Sequence, residues 1–273
     1  FQFASPNIYD ADSFYHFRHA WIYQTTGIFN TAFPWVQFSI ISQSAADIWY
    51  GFHLVLIPFT FLDDHLSAIK LAGVFLTTTG LVIVWYVFKR LSVKYPFFWT
   101  LVFALAASST LYRINMTRPH FLTSALSLLL LYFLSINNRK GSAITSAGIA
   151  FFHLALGWVA ILISIVDFSI SFIRTKKLKW GNLTAVLGGL IIGALLRPNP
   201  LLAIKLAYVQ IIQLTLEKIR GIPLNFGPEL YPISWPNMLG EVLPIFVLAG
   251  IAIFLFFKFR NRVLPIEINP VFI

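Results

Sequence analysis

The chain has 273 residues, 58% of them hydrophobic and 11% charged, and a mean hydropathy of +0.78. A soluble core cannot hide that much apolar surface, and the long unbroken apolar runs point to membrane helices, not to the short alternating strands of a barrel. The lack of cysteine excludes disulfides, thiolate metal sites and cysteine nucleophiles; the net charge of +10 fits basic loops beside spans and gives no reason to expect a nucleic-acid partner.

In chain order, the first feature is a pair of carboxylates, Asp10 and Asp12, ahead of a predicted amphipathic helix over 13–26. Asp12 fits its N-cap and Gly27 its far end. Two close carboxylates can hold a divalent cation, or one can act as a general base while the other tunes it; alternatively they only cap the helix and favour its positive end. His16 stands one turn after Asp12 and can share its face, with Arg18 close behind. His19, Trp21 and Tyr23 read as anchors at lipid headgroups.

A second apolar helix is predicted over 48–62, lying against the outer leaflet, with Asp47 as its cap and His53 inside it. Their six-residue separation does not place Asp47 and His53 on one helical face.

Hydropathy then predicts spans near 68–88, 97–112, 120–136, 143–157, 158–173, 182–196 and 242–257. The basic clusters between them are Lys89, Arg90 and Lys94; Arg139 and Lys140; Arg174, Lys176, Lys177 and Lys179; and Lys258, Arg260 and Arg262. Excess Lys and Arg mark the cytoplasmic side. Residues 1–67, 113–119 and 197–241 then lie outside, and 258–273 inside, in one transmembrane domain covering 1–273. The stretch 143–173 must go out and return, with arms of about 23 Å each at 1.5 Å per residue; Gly157 is its expected turn, with His153 near the tip.

Arg113, Arg118 and His120 join two spans on the side where cations are scarce. A guanidinium there can grip a phosphate, pair with Asp10 or Asp12, or snorkel to headgroups. In the large outer loop, 201–220 has a helical mixture, and Glu229 within Gly227–Tyr231 is the natural polar contact of a substrate groove. Asp167 reads as a structural group near an inner helix end. Because Phe1 is no initiator and the sequence stops just after Pro270, we expect a fragment lacking an N-terminal span and further C-terminal spans.

Three segments together carry a family resemblance: Asp10-Ala-Asp12-Ser-Phe-Tyr-His-Phe-Arg18, the helix Ala46-Asp-Ile-Trp-Tyr-Gly-Phe-His-Leu-Val-Leu-Ile-Pro-Phe-Thr60, and the span pair around Lys89-Arg90 leading to Arg113…Arg118-Pro-His120. Over roughly 1–140 the chain resembles the GT-C superfamily of polytopic glycosyltransferases, which includes oligosaccharyltransferase catalytic subunits and protein O-mannosyltransferases. The Asn199-Pro200 loop resembles it more loosely. The resemblance implies an all-α polytopic transmembrane helix bundle in a prokaryotic plasma membrane, its active site facing outward. It implies sugar transfer from a polyprenyl-phosphate-linked donor to a protein, lipid or glycan acceptor. Asp10 and Asp12 would be the catalytic acids, Asp12 the ligand of any Mg or Mn ion, and Arg118 a donor-phosphate contact. On the reading of the residues themselves, His16, Arg18, Asp47, His53, Arg113, His120 and Glu229 are the further candidates for substrate binding. Arg118-Pro-His replaces the second acidic pair of oligosaccharyltransferases, which favours a metal-independent site.

Two rivals stand beside this expectation: a transporter or lipid flippase with the same charges lining a path, and a non-catalytic membrane subunit whose Asp–Arg contacts hold helices together. Transporters show repeated halves and midplane polar sites, whereas the polar residues here gather at the outer surface.

Overall fold

The computed structural model describes residues 2–32, 38–39, 45–105, 108–176, 180–222 and 234–263, and all regular structure among them is helical. In order these are α1 (Asp12–Thr26), α2 (Tyr50–Leu56, continued by a 3-10 turn Ile57–Phe61), α3 (His65–Arg90), α4 (Pro96–Leu105), α5 (Ser108–Asn115) and α6 (His120–Ser135). They are followed by α7 (Arg139–Phe152), a 3-10 turn Leu154–Leu156, α8 (Gly157–Thr175) and α9 (Trp180–Leu195). Last come α10 (Pro200–Tyr208), a π segment Val209–Gln213, α11 (Leu214–Ile219) and α12 (Trp235–Val263). Tyr231 and Glu229, with Lys177 and Lys179, lie outside the described residues.

Local chemistry sets the helix ends. Asp64 starts α3 by accepting from the amides of Leu66 and Ser67, and Lys89 and Arg90 close it where the dipole favours cations. Asn138 caps α7 through the Gly141 amide, and Pro200 opens α10 at a position that needs no amide donor. α7 and α9 approach through small residues: a Cβ on Gly189 or Gly193 would overlap the carbonyls of Ala143 or Ala147. That is the small-residue spacing used where helices meet without a hydrophobic drive from water.

Three described helices are long and apolar enough to cross a membrane: His65–Arg90, Leu154–Ile173 and Pro200–Ile219, with mean hydropathies of 1.9, 2.2 and 1.2. Other expected spans are shorter apolar helices, such as His120–Ser135 and Trp180–Leu195, below the roughly 20 residues a full crossing needs. The stretch expected as 97–112 is helical over Pro96–Leu105 and Ser108–Asn115, and residues 106–107 lie outside the described ones. Within 143–173 the turn falls at His153–Leu156, and Gly157 is already the first residue of α8. The segment expected as outer loop 197–241 contains a 20-residue helix, Pro200–Ile219, of membrane-crossing length.

The two ends of the bundle differ in chemistry. At one end, Arg90 donates to the Tyr132 hydroxyl at 3.1 Å, and Asn182 donates to Asp167 at 3.1 Å. Beside them lies a cavity of about 790 Å³ lined by Asn138, Arg139, Lys140 and Trp180. At the other end, α1, α2, the 113–119 connection, the His153 turn and Arg197 converge around small apolar clusters, including Ala46, Ile48, Ala155, Ala203 and Leu206.

Candidate functional site

The start of α1 is built around Asp10. Its Oδ1 accepts from the Asp12 amide at 3.0 Å and its Oδ2 from the Ser13 hydroxyl at 2.7 Å. Asp10 therefore does the local capping expected of Asp12, whereas Ala11 occupies the N-cap position without a side-chain bond. Asp12 sits in the first helical turn and points outward, its side chain 56% exposed.

Arg118 binds both carboxylates. Its Nε donates to Asp10 Oδ1 at 2.9 Å, its Nη2 contacts the same oxygen, and Nη2 lies 2.9 Å from Asp12 Oδ2. The loop bearing Arg118 is held from below: the Thr117 amide donates to Ser13 Oγ at 3.1 Å, and the Thr117 hydroxyl to the Ile69 carbonyl at 3.0 Å. Burial raises the Asp10 carboxyl, but the Arg118 and Ser13 hydrogen bonds outweigh it and hold the group below the usual carboxylate range. Asp10 is thus the buried anchor, and Asp12 the accessible acid.

This donor set does not fit a divalent cation. The Arg118 guanidinium, in contact with both carboxylates, already supplies the positive charge between them and occupies the position an ion would take. A Mg or Mn ion held at Asp12, one expectation from the sequence, is not supported by these residues.

A second polar cluster is centred on the buried side chains of His16, His19, Asp47 and His53. His53 Nδ1 is 2.6 Å from Asp47 Oδ2, and His53 Nε2 is 2.8 Å from His16 Nδ1. Tyr23 donates to Asp47 Oδ2 at 2.9 Å, and the Trp49 amide to Oδ1 at 2.8 Å. His19 stacks on His53 with centroids 4.3 Å apart, its Nε2 4.0 Å from Asp47 Oδ2. Trp49 Nε1 donates to His153 Nε2 at 3.3 Å, and His153 meets His120 edge to face at 4.9 Å. Arg197 donates to the Asp47 carbonyl at 3.0 Å and to the Ala150 carbonyl, so three distant segments share one guanidinium. Five of the six histidines of the chain meet here; the sixth, His65, lies against Phe17.

Burial lowers His16 well below the ordinary imidazole value, reinforced by His53, and it takes His19 down to about 3. Burial also lowers Arg197, to about 10, despite the opposing pull of Asp47. For Asp47 burial acts upward, but His53 and His19 overcome it and the carboxyl stays low.

Two expectations from the sequence are corrected by the geometry. Asp47 and His53 do form a unit: Asp47 precedes α2, so helical-face spacing does not govern the pair. His19 and Tyr23 are not headgroup anchors, each being about 1% exposed. Arg18 lies over the Trp21 ring at 3.8 Å and faces a cavity of about 240 Å³ with Phe14, Phe17 and His65. Arg113 is exposed in the last turn of α5 and, among the described contacts, does not join the carboxylates. His120 meets the His153 ring edge to face. Glu229 lies outside the described residues. Sequence reasoning gave His19, Tyr23 and His153 no part in a site and passed over Trp49; the spacing 16, 19, 23 on α1, which stacks polar rings on one face, was the available signal.

An apolar groove of about 370 Å³ opens at the same end, between the His153 turn and α10, lined by Leu154, Trp158, Ile161, Leu190, Ile204 and Tyr208. Comparison with protein-family models, curated proteins and solved structures finds no match to this chain.

Proposed function

We propose that the chain is a GT-C-type glycosyltransferase that moves a sugar from a polyprenyl-phosphate donor to an acceptor hydroxyl. One observation carries this: an exposed carboxylate, Asp12, is held 2.9 Å from a guanidinium that a buried acid, Asp10, keeps in place. Asp12 takes the acceptor proton as the acceptor oxygen attacks the sugar's anomeric carbon. The bond from that carbon to the phosphate oxygen breaks, and the lipid phosphate leaves with the electron pair. Arg118 stands beside the developing phosphate charge, where a positioned cation is worth most. The apolar groove beside the His153 turn suits the donor's hydrocarbon tail. The separation of the basic clusters from the acidic site supports a topology in which these acids face away from the cytoplasm.

Asp12→Asn tests the proposal. Transfer from a polyprenyl-phosphate sugar should fall about 10²–10⁴-fold, with membrane insertion and folding kept. The contact of Arg118 with both acids also favours a second reading, a purely structural clasp in a non-catalytic subunit. That reading expects Asp12→Asn to impair folding, and no transferase activity in the wild-type chain.

A further inference from the structure

We propose that His19, Asp47 and His53 form a binding site for a divalent transition metal of the zinc class, which clamps α1 onto α2. One donor atom from each residue lies within 4.8 Å of the others, and all three residues are buried. Donors around a tetrahedral ion at ~2.0–2.2 Å stand about 3.4 Å apart. The separations here, 2.6 Å from His53 Nδ1 and 4.0 Å from His19 Nε2 to Asp47 Oδ2, bracket that value. Small side-chain rotations would equalise them.

The surroundings match those of a metal centre. Ligating histidines usually hand their second ring nitrogen to a partner that fixes the ring, and His53 Nε2 meets His16 Nδ1 at 2.8 Å. The Asp47 carboxylate is oriented through its other oxygen by the Trp49 amide. The Tyr23 hydroxyl, 2.9 Å from Asp47 Oδ2, places a fourth polar atom beside the three donors. Tyr15 and Trp49 wall the group with aromatic edges. Two imidazoles and one carboxylate suit Zn, Mn, Fe or Co, whereas Mg and Ca prefer oxygen alone. The inference does not depend on glycosyl transfer. It places the metal chemistry of this chain not at Asp10 and Asp12 but at the buried histidines, where an ion would position α1 without touching substrate.

The test uses the full chain purified in detergent without chelator, followed by elemental analysis. About one transition-metal ion per chain is expected. Stripping with a chelator should lower the melting temperature, and Zn²⁺ but not Mg²⁺ should restore it. Titrating the stripped protein with Co²⁺ should give visible d–d bands. His19→Ala and His53→Ala should abolish both signals, and His65→Ala should keep them. Because those variants can fail to fold, the wild-type Co²⁺ spectrum stands as the independent measure. A folded wild-type chain that carries no transition metal and gives no Co²⁺ bands overturns the site. Asp12→Asn should retain the ion, so loss of the metal proposal and loss of the transferase proposal read out separately.

Discussion

At the residue scale, two aspartates two positions apart have opposite environments, and their substitutions should diverge. Asp10 is 8% exposed and tied to Arg118, Ser13 and the Asp12 amide. Removing one partner of a fully buried pair costs about 3–5 kcal/mol. Arg118 keeps 19% of its side chain exposed, so solvent screening reduces the expected loss for Asp10→Asn to about 2 kcal/mol. Asp12→Asn should change stability by less than about 0.5 kcal/mol. Denaturant unfolding in detergent measures both. Asp10 also carries a pH signature. Its carboxyl is lowered in the folded chain, so the unfolded chain takes up the proton first. Its contribution is present above the ordinary carboxylate value and is lost as pH falls through the lower folded value. The unfolding midpoint of wild type should therefore drop toward that of Asp10→Asn in acid; parallel curves down to strong acid would refute this. The acids and Arg118 were legible in the sequence because a guanidinium in a short connection between two apolar runs has few explanations other than a partner. The histidine cluster was not, because His19 and Tyr23 were assigned to lipid headgroups and Asp47 and His53 to separate roles, whereas α1 turns His16, His19 and Tyr23 inward and leaves Phe14 exposed.

At the element scale, the tightest contact is the crossing of α7 and α9. Gly189→Ala would drive a methyl into the Ala143 carbonyl, a backbone group that cannot swing away. Overpacking of this kind costs about 1–3 kcal/mol. One residue earlier, a Cβ on Gly188 meets nothing within 4 Å, and Gly188→Ala should be neutral or stabilising by up to about 1 kcal/mol from helix propensity. Melting temperatures of the two variants, moving in opposite directions or one flat and one down, check this pair. Helix existence was readable here from the long apolar runs. Helix ends were not, since the turn at His153–Leu156 contains no glycine or proline and is fixed by contacts such as Leu154 to the Ile48 carbonyl and Trp49 to His153.

At the scale of the whole molecule, the question is sidedness. The chain has no cysteine, so single introduced cysteines report cleanly to an impermeant maleimide. Asn7→Cys should label from outside intact cells, and Ser92→Cys only after permeabilisation. The reverse pattern would overturn the outward site. Ala203, Leu206 and Ala207 pack on Ala46, Ile48 and Ala155, and Ile211 still touches that cluster. Over the ~12 Å from residue 203 to 211, the helix has not left the site end. Ile222→Cys should therefore label from the same side as Asn7→Cys, although Pro200–Ile219 is long enough to cross. Charge distribution made the two ends of the bundle legible in the sequence. Which short helices pair was not, because small-residue contacts such as Gly193 on Ala147 leave no hydropathy signal.

Arg197 imposes an order on biogenesis. It donates to the carbonyl of Asp47, 150 residues earlier in the chain. At ribosomal speeds of about 5–20 residues per second, that partner emerges roughly 8–30 s later. Until then the Asp47 carbonyl lacks its guanidinium partner, and the polar interior around it is unfinished. A nascent chain stalled before residue 197 should therefore leave residues near Asp47 open to protease, and one extended past it should close them off.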